Sequence, residues 1–213
     1  MSDSPPPRRR DDGCEWCRIE CRTPAQMEAC TCLTCHGLYA ATTSPERIRA
    51  MVNRHPAGLL AVRTGAASGL VVIDVDPPAG LATLAALDAE DGPLPGTLMQ
   101  MTGRPYGLQM LYRHPGGRIP SSAGALGPGV DVKADGGYVI VPPSIHPRTG
   151  RRYRWAGDGR WDHPLTPLPA RIAARLRPEP APPARRPARV ADVPRGRLRG
   201  LLEVVLAAPQ GER

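Results

Sequence analysis

Apolar and polar positions alternate through the middle of the chain in short runs closed by glycine, proline or aspartate, the pattern of half-buried strands. Residues 59–63 (LLAVR), 70–76 (LVVIDVD), 97–102 (TLMQMT) and 107–114 (GLQMLYRH) read as strands, the last two joined as a hairpin around GRPYG. In 130–143 (VDVKADGGYVIVPP), ADGG reads as a turn between two short β-rich runs, and 151–155 (RRYRW) adds one more strand. Helices are predicted over about 45–54, 80–90 and 168–176. The first has Ser44 as N-cap, Pro45 at its first position and Glu46 in its first turn.

Alternation also assigns faces. In the second strand Val71, Ile73 and Val75 share one face, suited to packing on a helix, while Val72, Asp74 and Asp76 share the other. Two carboxylates thus stand about 6 to 7 Å apart at a strand end. Like charges this close raise each other's pKa unless a cation lies between them, and Mg²⁺ favours one or two carboxylates together with substrate phosphates. Aspartates in a solvated turn before Pro77 and Pro78 are the competing reading. The run from Val130 repeats the pattern: Val130 and Val132 face one way, Asp131 and Lys133 the other, a third carboxylate beside a cation. Ser144 and His146 follow at strand spacing; taken singly, His146 reads as a surface histidine beside prolines.

Composition adds boundaries. Residues 1–13 form a polar, proline-rich tail, 14–36 a compact Cys/His segment, and 37–176 the main folded domain. Residues 177–195 form a Pro/Arg-rich linker and 196–213 the helical start of a truncated C-terminal region. A net charge of +8, carried almost wholly by arginine with Lys133 the only lysine, favours a polyanionic partner; an Arg/Ala/Pro-rich coding bias explains it as well. No stretch approaches the roughly 20 apolar residues that cross a bilayer and the N-terminus lacks a signal-peptide core, so a cytoplasmic protein with reduced cysteines is expected.

All six cysteines lie between Cys14 and Cys35. Cys14 and Cys17 form one C-x2-C knuckle and Cys32 and Cys35 another, with Cys21, Cys30 and His36 as further candidates. Paired knuckles at this separation predict a structural Zn²⁺ held by four of Cys14, Cys17, Cys30, Cys32, Cys35 and His36. Cys30 can replace Cys32, and His36 can replace Cys35. The segment is too short to bury a core, so metal would supply its folding energy, and its role would be to brace the domain.

Three blocks of the chain resemble a known family. SGLVVIDVDPPAG, the TG…G…LYR hairpin and LGPGVDVKADGGYVIVPPSIHPRTGRRYRW are similar to the bifunctional DNA primase/polymerase domain of the archaeo-eukaryotic primase superfamily, and CHGLYAATTSPERIRAMV to its lead-in helix. The resemblance implies an α/β (α+β) fold: an RRM-like antiparallel sheet core with a smaller flanking subdomain, here preceded by the zinc-binding segment. It implies metal-dependent, template-directed nucleotidyl transfer in DNA replication, with residues 37–176 as the catalytic domain. Asp74, Asp76 and Asp131 would hold two Mg²⁺ or Mn²⁺ ions, and Gln109, Lys133, Ser144 and His146 would lie along the nucleotide path. The partners implied are single-stranded DNA template and primer, nucleoside triphosphates and a helicase.

Two departures qualify this reading. Gln109 stands where the family's second motif carries a histidine; glutamine donates hydrogen bonds but cannot become cationic, so weaker triphosphate binding is expected. The cysteine segment replaces the family's first strand, so the sheet is expected to lack an edge strand. A catalytically weakened relative that binds nucleic acid through its arginines and zinc segment is the alternative. A metal-dependent nuclease would use the same carboxylates but has no need of the ADGGYVIVPPSIHP block.

Overall fold

The computed structural model describes residues 21–178. The predicted N-terminal tail, Cys14 and Cys17, nearly all of the linker and the C-terminal helix lie outside the described residues.

The fold is mixed α/β with two antiparallel sheets. Its elements are α1 (Pro24–Ala29), a 3₁₀ turn (Gly37–Ala40), α2 (Pro45–Arg54), β1 (Ala61–Arg63), β2 (Leu70–Val75), α3 (Ala79–Asp91), β3 (Leu98–Met101), β4 (Leu108–Arg113), β5 (Val130–Lys133), β6 (Tyr138–Ile140), β7 (Arg154–Trp155) and α4 (Ala170–Leu176). Five strands form the main sheet in the order β5-β2-β4-β3-β7, and β1 pairs with β6 in a separate ribbon. Within the described residues each predicted strand and helix is present, with ends moved by at most three residues. Helix α1 was not expected. Thr23 caps it with a reciprocal Gln26 bond and Pro24 opens it, a capping box that the cysteine spacing obscured. Among the described residues no strand precedes α2.

β2 is buried on both faces because it is central. Val71, Ile73 and Val75 join Met110, Tyr112, Val130 and Val132 in a core closed by Leu87 of α3 and Ile172, Ala173 and Leu176 of α4. On the other face Val72, Leu98 and Leu111 pack under Val139 and Val141, so the ribbon covers part of the sheet. The ADGG turn therefore has a different task from closing a hairpin: it carries the chain from β5 in one sheet to β6 in the other. Asp135 fixes this crossing by accepting the backbone N–H groups of Ala66 (2.8 Å) and Ile119 (2.9 Å). Burial pushes its carboxyl up, but these bonds and the nearby His114 and Arg118 outweigh that and hold it below the ordinary range. The outer edge of β5 is covered at Val132, which exchanges backbone bonds of 2.9 and 2.8 Å with Ser122.

Candidate active site and cysteine cluster

Register decides which side chains meet. Asp74 lies opposite Asp131 on β5 and opposite Gln109 on β4, and Gln109 lies opposite Gln100 on β3. One row, Asp131–Asp74–Gln109–Gln100, thus crosses four strands on the face the ribbon leaves partly open. The sequence assigned faces correctly but could not give this neighbour order.

Close backbone approaches hold the row in line. Asp76 N–H donates to Gly129 O (2.8 Å) and Gly80 N–H donates to Asp76 O (2.9 Å), stitching the end of β2 to the glycine-rich loop before β5 and to the start of α3. A Cβ on Gly80 would lie 2.3 Å from Gly129 O, so only glycine allows the approach. The same loop reaches Asp131, whose Oδ1 accepts from Gly124 N–H at 3.2 Å.

Asp74 is largely buried. Burial pushes its carboxyl up to about 6, Asp76 and Asp131 push the same way, and the Gln109 hydrogen bond and Lys133 pull back. Gln109 is itself oriented: Gln100 Nε2 donates to its Oε1, which leaves the Gln109 amide N–H groups for Asp74. Gln100 also donates to Ile140 O at 2.7 Å, tying the row to the ribbon. The other two carboxylates have cations of their own. Arg104, in the turn between β3 and β4, sits 2.7 Å from Asp76 Oδ2, and Lys133 sits 2.9 Å from Asp131 Oδ2.

Of the residues singled out in the sequence, Asp74, Asp76, Asp131, Gln109 and Lys133 come together at this sheet end. Ser144 lies under β1, its hydroxyl accepting from Leu60 N–H at 2.8 Å. His146 is buried against Tyr153, ring centroids 6.0 Å apart. Burial raises the Tyr153 phenol, Asp74 and Asp76 add to this and Arg104 opposes it, so the His146–Tyr153 pair flanks the carboxylates. Arg104, Gln100 and Tyr153 were missed. An arginine in a GRPYG turn and a glutamine in an apolar strand were visible signals, but their meaning depended on register.

In the cysteine segment, Cys21, Cys30 and His36 form one group whose donor atoms all lie within 4.8 Å of one another, and Cys30, Cys32 and Cys35 form another. These are the groups of three that converge so closely among the described residues. At the sheet end the carboxylates of Asp76 and Asp131 instead pair with Arg104 and Lys133. Arginines also dock the segment. Arg47 of α2 donates to the carbonyls of Thr31 (3.2 Å) and Cys32 (3.1 Å), while Arg63 of β1 pairs with Glu28 at 2.6 Å and lies over the Tyr39 ring.

The fold and these two sites define a class: a mixed α/β domain with antiparallel sheets, an acidic sheet end and a cysteine-rich segment able to hold a metal such as zinc. The chain belongs to the family described as bifunctional DNA primase/polymerase, N-terminal, whose model matches residues 13–171. That family performs nucleotidyl transfer and acts on DNA and nucleotides. Comparison with curated proteins finds no match. No helix among the described residues is long and apolar enough to cross a membrane.

Proposed function

We propose that this chain is a DNA primase/polymerase catalytic domain that joins nucleotides on a single-stranded DNA template with the help of Mg²⁺ or Mn²⁺. The observation that carries the proposal is the row of Asp131 and Asp74 across β5 and β2, with Asp76 at the strand end. Three carboxylates, one with its pKa raised by burial and by the other two, are the donor chemistry that a hard divalent cation takes. When bound, two such ions would ease attack of a primer 3′-hydroxyl on the α-phosphate and neutralise the charge that develops there. The strand order β5-β2-β4-β3, with α3 crossing between β2 and β3, supports the RRM-like reading.

The chain's own residues have separate tasks in this reading. Gln109, oriented by Gln100, favours the ionised form of Asp74. Arg104 and Lys133 neutralise Asp76 and Asp131 until ions bind, and then become available to phosphate oxygens. His146 and Tyr153 wall the nucleotide path on one side, and Ser144 shapes it through its bond to Leu60. The cysteine segment holds structural zinc and braces α2 and β1 through Arg47 and Arg63. A helicase acting with the domain completes the proposed replication role.

Gln109 favours a second reading. Its amide serves Asp74 and brings no positive charge to a triphosphate, so a catalytically weakened, DNA-binding relative is the competing proposal. One experiment separates them: the full chain with Mg²⁺ or Mn²⁺, primed and unprimed single-stranded template and labelled nucleotides, beside Asp74→Ala. Extension abolished by the substitution supports the polymerase. DNA binding without extension supports the weakened relative, and shortening of the DNA would make it a nuclease.

A further inference from the structure

The cysteine segment carries more donors than one ion takes. A tetrahedral zinc site binds four ligands, with Zn–S of about 2.3 Å and Zn–N of about 2.0 Å. Here Cys21, Cys30 and His36 converge, and separately Cys30, Cys32 and Cys35 converge, while the five do not form one mutual group. Cys30 is the only donor common to both.

We propose that this segment holds two zinc ions bridged by the Cys30 thiolate, one ion taking Cys21 and His36 and the other Cys32 and Cys35. The proposal rests on the zinc reading given above and sets its number and bridging ligand. Three observations carry it besides the two groups. His36 Nε2 is buried and has no hydrogen-bond partner, a cost that a metal bond removes. Cys32 N–H donates to Cys30 Sγ at 3.4 Å, support for a sulfur that carries charge. No residue from 21 to 39 is fully buried, so apolar packing contributes little order here and leaves a role for ligation. Each group is one donor short of a tetrahedron. The chain has two further cysteines, Cys14 and Cys17, both outside the described residues.

Elemental analysis of the full chain, purified without chelator, should find about two zinc ions per chain. Cobalt(II) added to the demetallated protein should build thiolate charge-transfer absorbance up to about two equivalents, a measurement that needs no variant. Cys35→Ser should remove about one ion and Cys30→Ser both, because only Cys30 serves both sites. A count of one, with a single-equivalent cobalt end point, overturns the bridged pair and leaves the zinc reading standing. A count of zero overturns both. Cys30→Ser losing no more metal than Cys35→Ser also overturns the bridge.

Discussion

Asp74→Asn should stabilise this protein at neutral pH in the absence of divalent cations. Asparagine keeps the shape of the side chain and an oxygen to accept the Gln109 bond, but removes the charge. The Asp74 pKa rises from 3.8 to about 6 on folding, so holding the ionised form in the native state costs about 2 to 3 kcal/mol at roughly 1.4 kcal/mol per unit, and the lower figure is taken below. The sign follows from proton counts. Between about pH 4 and pH 6 the native state keeps a proton that the unfolded chain has released, so wild-type stability falls as pH rises and levels off above the folded pKa. The variant lacks this loss. Urea unfolding of both proteins from pH 4 to pH 8, without added divalent ions, should show Asp74→Asn ahead by about 2 kcal/mol at pH 8, shrinking toward zero at the acid end. Zinc loss in acid affects both alike and cancels in the difference. Added Mn²⁺ should then favour the wild type, since an ion held at 100 times its Kd stabilises its host by about 2.7 kcal/mol. The reasoning fails if the variant is the weaker protein at pH 8, or if the gap does not change with pH.

Other consequences can be checked separately. Arg104→Ala should bind Mn²⁺ about two- to fivefold tighter in nucleotide-free protein, read by equilibrium dialysis, because the half-exposed pair it breaks is worth up to about 1 kcal/mol. The same variant should bind nucleoside triphosphates less tightly, and a fall in both affinities would show that Arg104 organises the site in some other way. Gly80→Ala should destabilise by about 2 kcal/mol or more, since its Cβ meets backbone rather than a side chain that can move. Gly96→Ala, with nothing within 4 Å, is the control and should leave the melting temperature nearly unchanged. Gln100→Leu, which strands Gln109 Oε1 and Ile140 O, should cost about 1 to 3 kcal/mol in unfolding experiments and weaken Mn²⁺ binding.

How much of this could be read from sequence depended on range. Face assignment needs only alternation, so Val71, Ile73 and Val75 against Asp74, and Val130 and Val132 against Asp131, were legible before any strand was paired. The helix from Pro45 was legible because its start signals are local. Pairing was not. Nothing within VDVK says that it lies beside LVVIDV rather than beside YVI, and the separation of β5 from β6 into two sheets depends on Asp135 reaching Ala66 and Ile119, far away in the chain. The roles of Gln100 and Arg104 were hidden for the same reason: Gln100 acts on a residue of the neighbouring strand, and Arg104 reaches from a turn to Asp76 at the end of β2.

The same long-range pairing explains how the sheet tolerates its own acidic end. Directly opposed carboxylates on neighbouring strands destabilise a sheet, and Asp74 faces Asp131 across β2 and β5. Each carboxylate has a partner of its own that offsets this: an amide for Asp74, a lysine for Asp131 and an arginine for Asp76. Burial raises the Asp74 pKa and the neutral amide only partly offsets it, while the two cations sit on partly exposed side chains where exchange is cheap. Under the proposed function, an incoming divalent ion would displace these partners and relieve the repulsion between the carboxylates.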